Sequence, residues 1–339
     1  MSPRNPMDRR KQRIDDLAAS SAGRPGAGVR RGTASGSVLV DDAGTVEEAP
    51  GVSLIASAWK RLRRDPVFLL GAGITVLFVV LAIVSPWIAP HDPAAGLLLD
   101  KVRPQSNPVP GAEAGFPLGA DDRGRDLLSR LLVGSRQTLV VGVAATIIGL
   151  AGGLVLGILA GAFGGGIDSF VMRAVDVLLS IPSLLLAVSI AALARQPSQW
   201  TVIIAIAVVQ VPVFARLLRG SMLAQRSSDH VLAARALGVK RQAIVFRHMV
   251  PNSLGPVIVQ ATLVLATSII DAAALSFLGL GNPDDAQPEW GQMLGRAQQY
   301  IYDHPHLAVY PAMCIVFVAL GFTLMGESLR EALDPKSRR

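Results

Sequence analysis

Charge and cysteine are both scarce in this chain of 339 residues, and three catalytic signatures are missing. Only 17% of its residues are charged, whereas a soluble domain has about 25%. The single cysteine, Cys314, excludes an intramolecular disulfide framework. The sequence contains no G-x-x-x-x-G-K-S/T phosphate loop, no H-E-x-x-H and no G-x-S-x-G. We therefore expect neither ATP hydrolysis nor substrate cleavage from this chain itself, so it is not expected to be an enzyme.

Long uncharged runs account for the missing charge. About 20 mostly apolar residues are needed to cross roughly 30 Å of hydrocarbon. Six runs reach that length, at 67–89, 138–163, 174–194, 200–218, 254–280 and 307–326. Backbone groups in lipid must be hydrogen-bonded within their own segment, so each run is predicted to be a helix. The predicted fold is an all-α integral membrane protein with six transmembrane helices.

Basic residues are concentrated in alternate connections between these runs. Lys and Arg in short loops stay on the cytoplasmic side of a membrane. The tail before the first run, the loop after the fourth and the tail after the sixth are basic, whereas the loop 281–306 is acidic. We expect a multi-pass protein of the cytoplasmic membrane with both termini in the cytoplasm. The net charge of +7 is explained by this topology, and no nucleic-acid partner is expected.

Composition divides the chain into a short series of regions. Residues 1–50 are rich in Ser, Gly, Ala and Arg and are predicted to be disordered. Residues 51–66 place cations beside an apolar helical face, which is typical of a helix that lies at the membrane interface. The predicted regions are a cytoplasmic tail (1–50), an interfacial amphipathic helix (51–66), a first transmembrane helix (67–90), an extracytoplasmic loop (91–136), a core of apolar spans (137–331) that contains a basic loop (221–251), and a cytoplasmic tail (332–339).

Two patterns refine the first half of the core. Leucines at helical spacing after Asp126 predict a helix that begins there and runs towards the second span. The second span is loaded with glycine, which permits close approach of two helices in lipid. It is therefore predicted to pack in the middle of the bundle.

The loop after the fourth run has a helix–turn–helix pattern, VLAARALGVKRQAIVFRHMVP at 231–251. Residues 229–237 favour a helix, and Gly238 stands where that helix would end in a left-handed conformation. A second helix is predicted from Val239 onward. Ala233 and Ala234 leave little side chain on the exposed helix, so a partner's surface could approach its backbone. The residues alone leave open an ordinary basic loop that happens to be helical.

This segment resembles the EAA loop of ABC importer permeases, whose short helix docks into a groove on a cytoplasmic ATPase. Ala233, Ala234 and Gly238 stand at the two alanines and the glycine of that motif, and Leu232 replaces its leading glutamate. Further stretches are similar to signatures of the dipeptide/oligopeptide/nickel permease subfamily, of the dipeptide permease C type: PLGADDRGRDLLSRLLVGSR, DVLLSIPSLLLA, ALSFLGLG with PEWGQML, and LMGESLREALDPK. The resemblance covers about residues 52–336.

The resemblance implies an ABC importer type I permease fold with a cytoplasmic coupling helix, in a subunit that translocates di- or oligopeptides. It implies a second permease in a heterodimer, two cytoplasmic ATP-binding subunits and an extracytoplasmic peptide-binding protein. ATP and Mg would be bound by the ATPase subunits, and no cofactor is expected in this chain. The residues that it implies for coupling to the ATPase are Leu232, Ala233, Ala234, Arg235, Gly238, Lys240 and Arg241.

Two acidic residues are candidates for the translocation path or its gating. Ionisable residues within spans are costly and face a bundle interior or a wet cavity. Asp271 lies well inside the fifth run, and Asp176 lies nearer the cytoplasmic end of the third. A structural salt bridge or hydrogen bond between helices is the alternative for both.

His304 and His306 form an H-x-H pair in an outside loop. Two ligands without a third make a weak transition-metal site, so a polar loop is the favoured interpretation and no metal site is predicted.

Three other functions remain open on the sequence. A nickel or other small-solute importer would have the same fold. A membrane-embedded enzyme would need an intramembrane nucleophile or metal cluster, which the sequence does not offer. A scaffold without transport would explain the basic loop but would leave Asp271 without a role.

Overall fold

The computed structural model describes residues 54–333. The predicted tail 1–50, residues 51–53 of the predicted interfacial helix and residues 334–339 of the predicted C-terminal tail lie outside the described part. The helices are α1 (Leu54–Leu62), α2 (Pro66–Ile88), α3 (Leu127–Phe163), α4 (Gly165–Ser180), α5 (Ser183–Ala192), α6 (Gln199–Gln225), α7 (Asp229–Ala236), α8 (Arg241–Ile244), α9 (Val250–Phe277), α10 (Trp290–Ala297) and α11 (His306–Leu333). Within residues 54–333 there is no β-strand, only isolated bridges.

Five helical stretches are long and apolar enough to cross a membrane, namely α2, α3, α6, the continuous stretch Arg241–Phe277 and α11. Helices α4 and α5 make a sixth span if they are counted together. The predicted all-α architecture is confirmed on these terms.

The third predicted span, at 174–194, is not one straight helix. Helices α4 and α5 meet at an angle of 94°. The break falls at Ile181, whose φ of −89° and ψ of 132° are extended, and at Pro182. Proline lacks the N–H that a helix interior needs and disfavours the helical conformation in the residue before it. A single helix was predicted across Pro182 because the run on both sides of it is long and mostly apolar.

Helix α3 begins where the leucine spacing predicts. The side chain of Asp126 accepts a hydrogen bond from the Ser129 backbone N–H at 3.1 Å and so caps the first turn. Helix, and not loop, therefore occupies the last ten residues of the region predicted as a loop at 91–136. With 37 residues at about 1.5 Å each, α3 is roughly 55 Å long and exceeds the hydrocarbon layer. Its two ends therefore mark opposite ends of the bundle.

Helices α3 and α6 pack through a row of glycines. The row occupies every fourth position of α3, and each member faces one side chain of α6. A Cβ on Gly157 would stand 2.9 Å from the Cβ of Leu218 and 3.0 Å from the carbonyl oxygen of Ala215. The facing pairs are Gly149 with Gln210, Gly153 with Phe214, Gly157 with Leu218, and Gly161 with Met222. This contact confirms the prediction of a central packing helix.

Candidate functional site

Residues 229–249, which we call the basic segment, connect α6 to α9 and comprise α7, a turn at Gly238, α8 and a π-helical turn at Val245–Met249. One side of the basic segment is buried against α6. The buried cluster joins Val231, Ala234, Ile244, Val245 and Met249 of the basic segment to Phe214, Leu218 and Met222 of α6. The basic segment is thus packed firmly onto the ends of the spans.

Gly238 ends α7 as its position in the sequence predicts. Its φ is +72°, in the left-handed region that favours glycine. The Gly238 N–H donates to the Arg235 carbonyl and the Val239 N–H to the Ala234 carbonyl, both at 3.0 Å. This pair of bonds is a Schellman motif, which satisfies carbonyls at the end of a helix. A Cβ on Gly238 would meet no atom within 4 Å, so only the backbone conformation requires glycine here.

The two alanines of α7 lie on different sides of the helix. Ala233 is exposed beside Leu232, whereas Ala234 is only 7% exposed. The expectation that both alanines face outward is therefore wrong for Ala234. It lies three positions after the fully buried Val231, so the two share the face that packs on the spans. Leu237, at 83% exposed, adds an apolar side chain to the outward surface.

Two arginines bind the carbonyl groups at the C-terminal end of α3. Arg226 donates from Nη2 to the Gly161 carbonyl at 2.6 Å. Arg241 donates from Nη2 to the carbonyls of Ala162 at 2.6 Å and Phe163 at 2.9 Å. The last carbonyls of a helix have no partner within it and carry partial negative charge, so cations stabilise them. Arg241 therefore joins the basic segment to α3.

Arg235 and Lys240, the other basic residues expected to contact an ATPase, are differently placed. Both are exposed, and neither side chain forms a hydrogen bond or an ion pair with another residue in 54–333. They differ in this respect from Arg241, and their charges face solvent at the surface of the basic segment.

Asp176 forms an ion pair between α4 and α6. Its Oδ1 lies 2.5 Å from Nη2 of Arg216, and both side chains are more than half exposed. About two turns earlier on α4 and one turn later on α6, Arg219 donates two hydrogen bonds to Asp168, at 2.5 and 2.7 Å. The structure thus places Asp176 in an interhelical salt bridge, the alternative that the sequence left open for it.

Asp271 lies in α9 and is partly buried. Its side chain forms no hydrogen bond and no ion pair with any residue in the described part of the chain. The interhelical salt bridge considered for Asp271 is therefore absent among these residues. Its carboxylate is thus an acidic group within a span that no other residue of 54–333 pairs.

A network of arginines and aspartates, which the sequence analysis did not identify, lies at the N-terminal end of α3. Asp121 pairs with Arg125 at 2.7 Å and with Arg130 at 3.4 Å. Asp285 forms ion pairs with Arg123 and Arg296. Burial alone would raise the pKa of the Asp285 carboxyl, but the hydrogen bond from Arg296 and the surrounding positive charges outweigh it and lower that pKa. The dense charges of DDRGRD were the signal that could have identified this network.

The network fastens two loops together. Arg130 donates to the Pro93 carbonyl at 2.8 Å and to the Asp285 carbonyl at 3.2 Å, which joins the loop before α3 to the loop after α9. Nearby, the indole N–H of Trp290 donates to the Leu131 carbonyl at 2.9 Å. The loops at this end are therefore fixed to α3 over its first turns.

Glu289 is a buried acid beside this network and was also missed. It is 4% exposed, and the Ser276 hydroxyl lies 2.9 Å from both of its carboxylate oxygens. Burial raises the pKa of the Glu289 carboxyl to about 7, although the hydrogen bond from Ser276 lowers it in part. This carboxyl titrates near neutral pH and has one hydrogen-bond partner in the described residues.

His304 and His306 pack against each other edge to face, with ring centres 5.9 Å apart. Residues 54–333 bring together no group of three or more His, Cys, Asp or Glu side chains that could hold a metal ion.

Comparison with known protein families identifies the family to which this chain belongs. The family described as "Binding-protein-dependent transport system inner membrane component" matches residues 153–339, more than half of its length. The chain belongs to this family. The "N-terminal TM domain of oligopeptide transport permease C" matches residues 53–107 of the same permease. The family resemblance read from the motifs is thereby confirmed, and the permease is a multi-pass inner membrane protein and a transporter rather than a catalyst.

Curated relatives are similar over most of the permease. It is 40% identical over 292 residues to the dipeptide transport system permease protein DppC of Alkalihalophilus pseudofirmus, covering 86% of this chain and 93% of the relative. It is 40% identical over 277 residues to the probable D,D-dipeptide transport system permease protein DdpC of Escherichia coli K12, covering 81% and 90%. It is 41% identical over 278 residues to the glutathione transport system permease protein GsiD of Shigella sonnei, covering 82% and 89%.

A solved structure supports the fold. The MetNI methionine ABC transporter, in an inward-facing conformation, matches with a TM-score of 0.51 and 21% identity. The match covers 60% of this permease and 96% of the MetNI chain. At this identity the likeness concerns the fold alone, and it agrees with the importer permease fold expected from the motifs.

Proposed function

We propose that this permease is the transmembrane subunit of an ATP-binding cassette importer that carries di- and oligopeptides across the cytoplasmic membrane. The observation that carries the proposal is its similarity, over more than four fifths of its length, to permeases named for dipeptides, D,D-dipeptides and glutathione. Glutathione is itself a tripeptide, so these cargoes share one chemistry. A nickel or other small-solute importer of the same fold is the second candidate.

The basic segment is the proposed contact with a separate ATPase. Leu232, Ala233 and Leu237 provide an exposed surface with one small residue, into which a groove can fit closely. Arg235 and Lys240 are available to pair with acids of the ATPase. Ala234 supports this surface from beneath, Gly238 sets the turn, and Arg241 carries the motion to α3.

The complete importer would contain more than this chain. We propose two ATP-binding subunits, which hold ATP and Mg, and a second permease in a heterodimer, with no cofactor in the present chain. Both termini and the basic segment would face the cytoplasm. An extracytoplasmic peptide-binding protein would then meet the opposite end, where the arginine–aspartate network holds the loops.

The proposed mechanism is alternating access between two states whose populations the partners shift. ATP binding would draw the two ATPase subunits together and move the basic segments that they contact. The Asp176–Arg216 pair is proposed as a gating contact between α4 and α6, and Asp271 as a residue of the translocation path.

The test is transport by the complete complex in proteoliposomes. Labelled dipeptide and labelled Ni²⁺ are offered separately, each with ATP and with a non-hydrolysable analogue. We expect accumulation of dipeptide that requires hydrolysable ATP, and no accumulation of Ni²⁺. Uptake of Ni²⁺ alone would favour the second candidate, and uptake of dipeptide without ATP would contradict the importer mechanism.

A further inference from the structure

Helix α9 carries a polar stripe through the membrane. Gln260, Thr267 and Asp271 follow one another at intervals of seven and four residues. At 3.6 residues per turn these positions lie within about 40° of one another around the helix axis. Among residues 54–333, Gln260 and Asp271 are half-buried and Thr267 is exposed. A buried side of α9 lies next to this stripe and includes Val257, Val264 and Ser268.

The stripe begins at a cavity between α4, α6 and α9. Gln260 lines this cavity together with Arg216 and Ser221. Arg216 is paired with Asp176, so the charges at this end of the stripe are balanced. The Thr267 hydroxyl donates to the Val264 carbonyl at 2.9 Å, which leaves its oxygen free to accept. Asp271 is therefore the one member of the stripe with a formal charge, and the described chain does not pair it.

Contact between this polar stripe and lipid would be energetically unfavourable. A charged side chain at the centre of a bilayer is unfavourable, and such residues face water-filled cavities or partners. The described residues supply Asp271 with no cation. In its charged form the Asp271 carboxylate therefore needs water or a cationic group from outside residues 54–333.

We propose that the stripe formed by Gln260, Thr267 and Asp271 lines the water-filled path, and that Asp271 is the counter-charge for the α-ammonium group of a passing peptide. The inference rests on the proposed peptide cargo and adds the group by which the path favours it. A free peptide carries an ammonium group with a pKa of about 8, so most molecules are cationic at that end near pH 7. This group offers three N–H donors to a carboxylate that otherwise accepts from water.

The first test measures the charge of the path without any cargo. Cys314 is the only cysteine, so Cys314→Ala gives a cysteine-free background. Thr267→Cys is introduced there, and the complete complex in proteoliposomes is treated with cationic and anionic methanethiosulfonate reagents of similar size. Leu77→Cys, at a position 55% exposed on the apolar helix α2, is the control for a lipid-facing cysteine.

We expect Thr267→Cys to react and Leu77→Cys to remain unreactive. With each rate divided by that reagent's rate towards a small free thiol in solution, the cationic reagent should react at least about fivefold faster than the anionic one, since a unit charge one helical turn away changes local ion concentrations by that order even in water. Adding Asp271→Asn should bring the ratio of the two rates close to one. An unreactive Thr267→Cys, or a ratio unchanged by Asp271→Asn, would overturn the proposal.

The second test asks whether Asp271 interacts with the α-ammonium group of the peptide. A dipeptide and its N-acetylated form, at equal concentration, are compared as protectants of Thr267→Cys against a neutral thiol reagent. We expect the free dipeptide to slow the modification several-fold more than the acetylated form, and Asp271→Asn to remove that difference. Equal protection would overturn the ammonium assignment. Failure of peptide uptake in proteoliposomes would instead reject the cargo, while the reagent ratio would still report the charge of the path.

Discussion

Arg241 donates a hydrogen bond of 2.6 Å from its guanidinium to the carbonyl oxygen of Ala162, and this contact joins the basic segment to the last turn of α3. Helix α3 is packed along its length against α6 through the row of glycines. A displacement of the basic segment would therefore act on α3 through this contact and on α6 through the buried cluster that the two share. The Arg241 contact is the route that depends on a single side chain.

Arg241→Ala should uncouple ATP hydrolysis from transport. The substitution removes charge-assisted bonds to the end of α3 and should cost about 1 kcal/mol of stability, because Arg241 is exposed and solvent screens it. Transport per ATP hydrolysed should fall several-fold in the reconstituted complex. Arg247→Ala is the matched control, since an exposed arginine of the basic segment is lost there without a hydrogen bond to α3. Equal transport per ATP in the two variants would show that the bond does not transmit motion.

Gly238→Ala should impair coupling through the backbone alone. The residue has a φ of +72°, where an alanine is strained by about 1–2 kcal/mol, and its Cβ would meet no neighbour. Gly255→Ala is the control, because a Cβ there also meets nothing within 4 Å but the residue is helical. ATPase stimulation by the cargo-loaded binding protein should drop in Gly238→Ala and persist in Gly255→Ala. Gly238→Asn should retain more stimulation than Gly238→Ala, since asparagine tolerates this conformation better.

Gly157→Ala should weaken the packing of α3 on α6. The added Cβ would stand 3.0 Å from the Ala215 carbonyl oxygen, a backbone atom that cannot turn aside. Overpacking of this kind costs about 1–3 kcal/mol. Gly73→Ala in α2, whose Cβ meets no atom within 4 Å, should be neutral or stabilising because alanine is the better helix former. Both effects are measured as changes in the thermal unfolding midpoint of the purified complex. Equal midpoints for Gly157→Ala and Gly73→Ala would count against close contact between α3 and α6.

Because of Glu289, the free energy of unfolding of the complex should decrease as the pH rises. Burial raises the pKa of its carboxyl to about 7, so between about pH 4.5 and 7 the folded state holds a proton that the unfolded state has lost. The folded state is therefore favoured at the acidic end, and its advantage is lost as the pH rises through 7. Glu289→Gln removes this titration and should stabilise the complex at pH 8, by about 3 kcal/mol at most.

Thermal unfolding of the wild type and Glu289→Gln at pH 5 and pH 8 measures that effect. The two proteins should have similar midpoints at pH 5 and diverge at pH 8. Ser276→Ala removes the hydrogen bond that lowers the Glu289 pKa and should shift the wild-type transition to higher pH. A glutamine variant that is less stable than the wild type at pH 8 would contradict the raised pKa of the Glu289 carboxyl.

Much of the fold could be predicted from the sequence because lipid imposes simple rules. The uncharged runs predicted the spans, the leucine spacing predicted the start of α3, and Gly238 predicted the end of α7. Interactions between distant segments were not accessible in the same way. Nothing local to Arg241 shows that it meets Ala162, 79 positions away, and nothing local to Arg130 shows that it meets Asp285.

Burial within a short helix was the other difficulty. Ala233 and Ala234 are neighbouring residues of the same type. In the structure Ala233 is exposed, whereas Ala234 belongs to the buried cluster that packs on α6. The sequence identified Asp271 as unusual for its place in a span. The cavity that Gln260 lines at the start of the stripe became visible only once α4, α6 and α9 were placed together.

The most direct test of the account concerns the side and the partner of the basic segment. Leu237, 83% exposed on the basic segment, and Tyr302, 97% exposed in the loop before α11, are changed separately to cysteine in the Cys314→Ala background. We predict that an impermeant thiol reagent labels Tyr302→Cys from outside intact cells and Leu237→Cys only in inverted vesicles, and that Leu237→Cys cross-links to an ATP-hydrolysing subunit. Labelling of Leu237→Cys from outside, or the absence of such a cross-link in an active complex, would contradict the account.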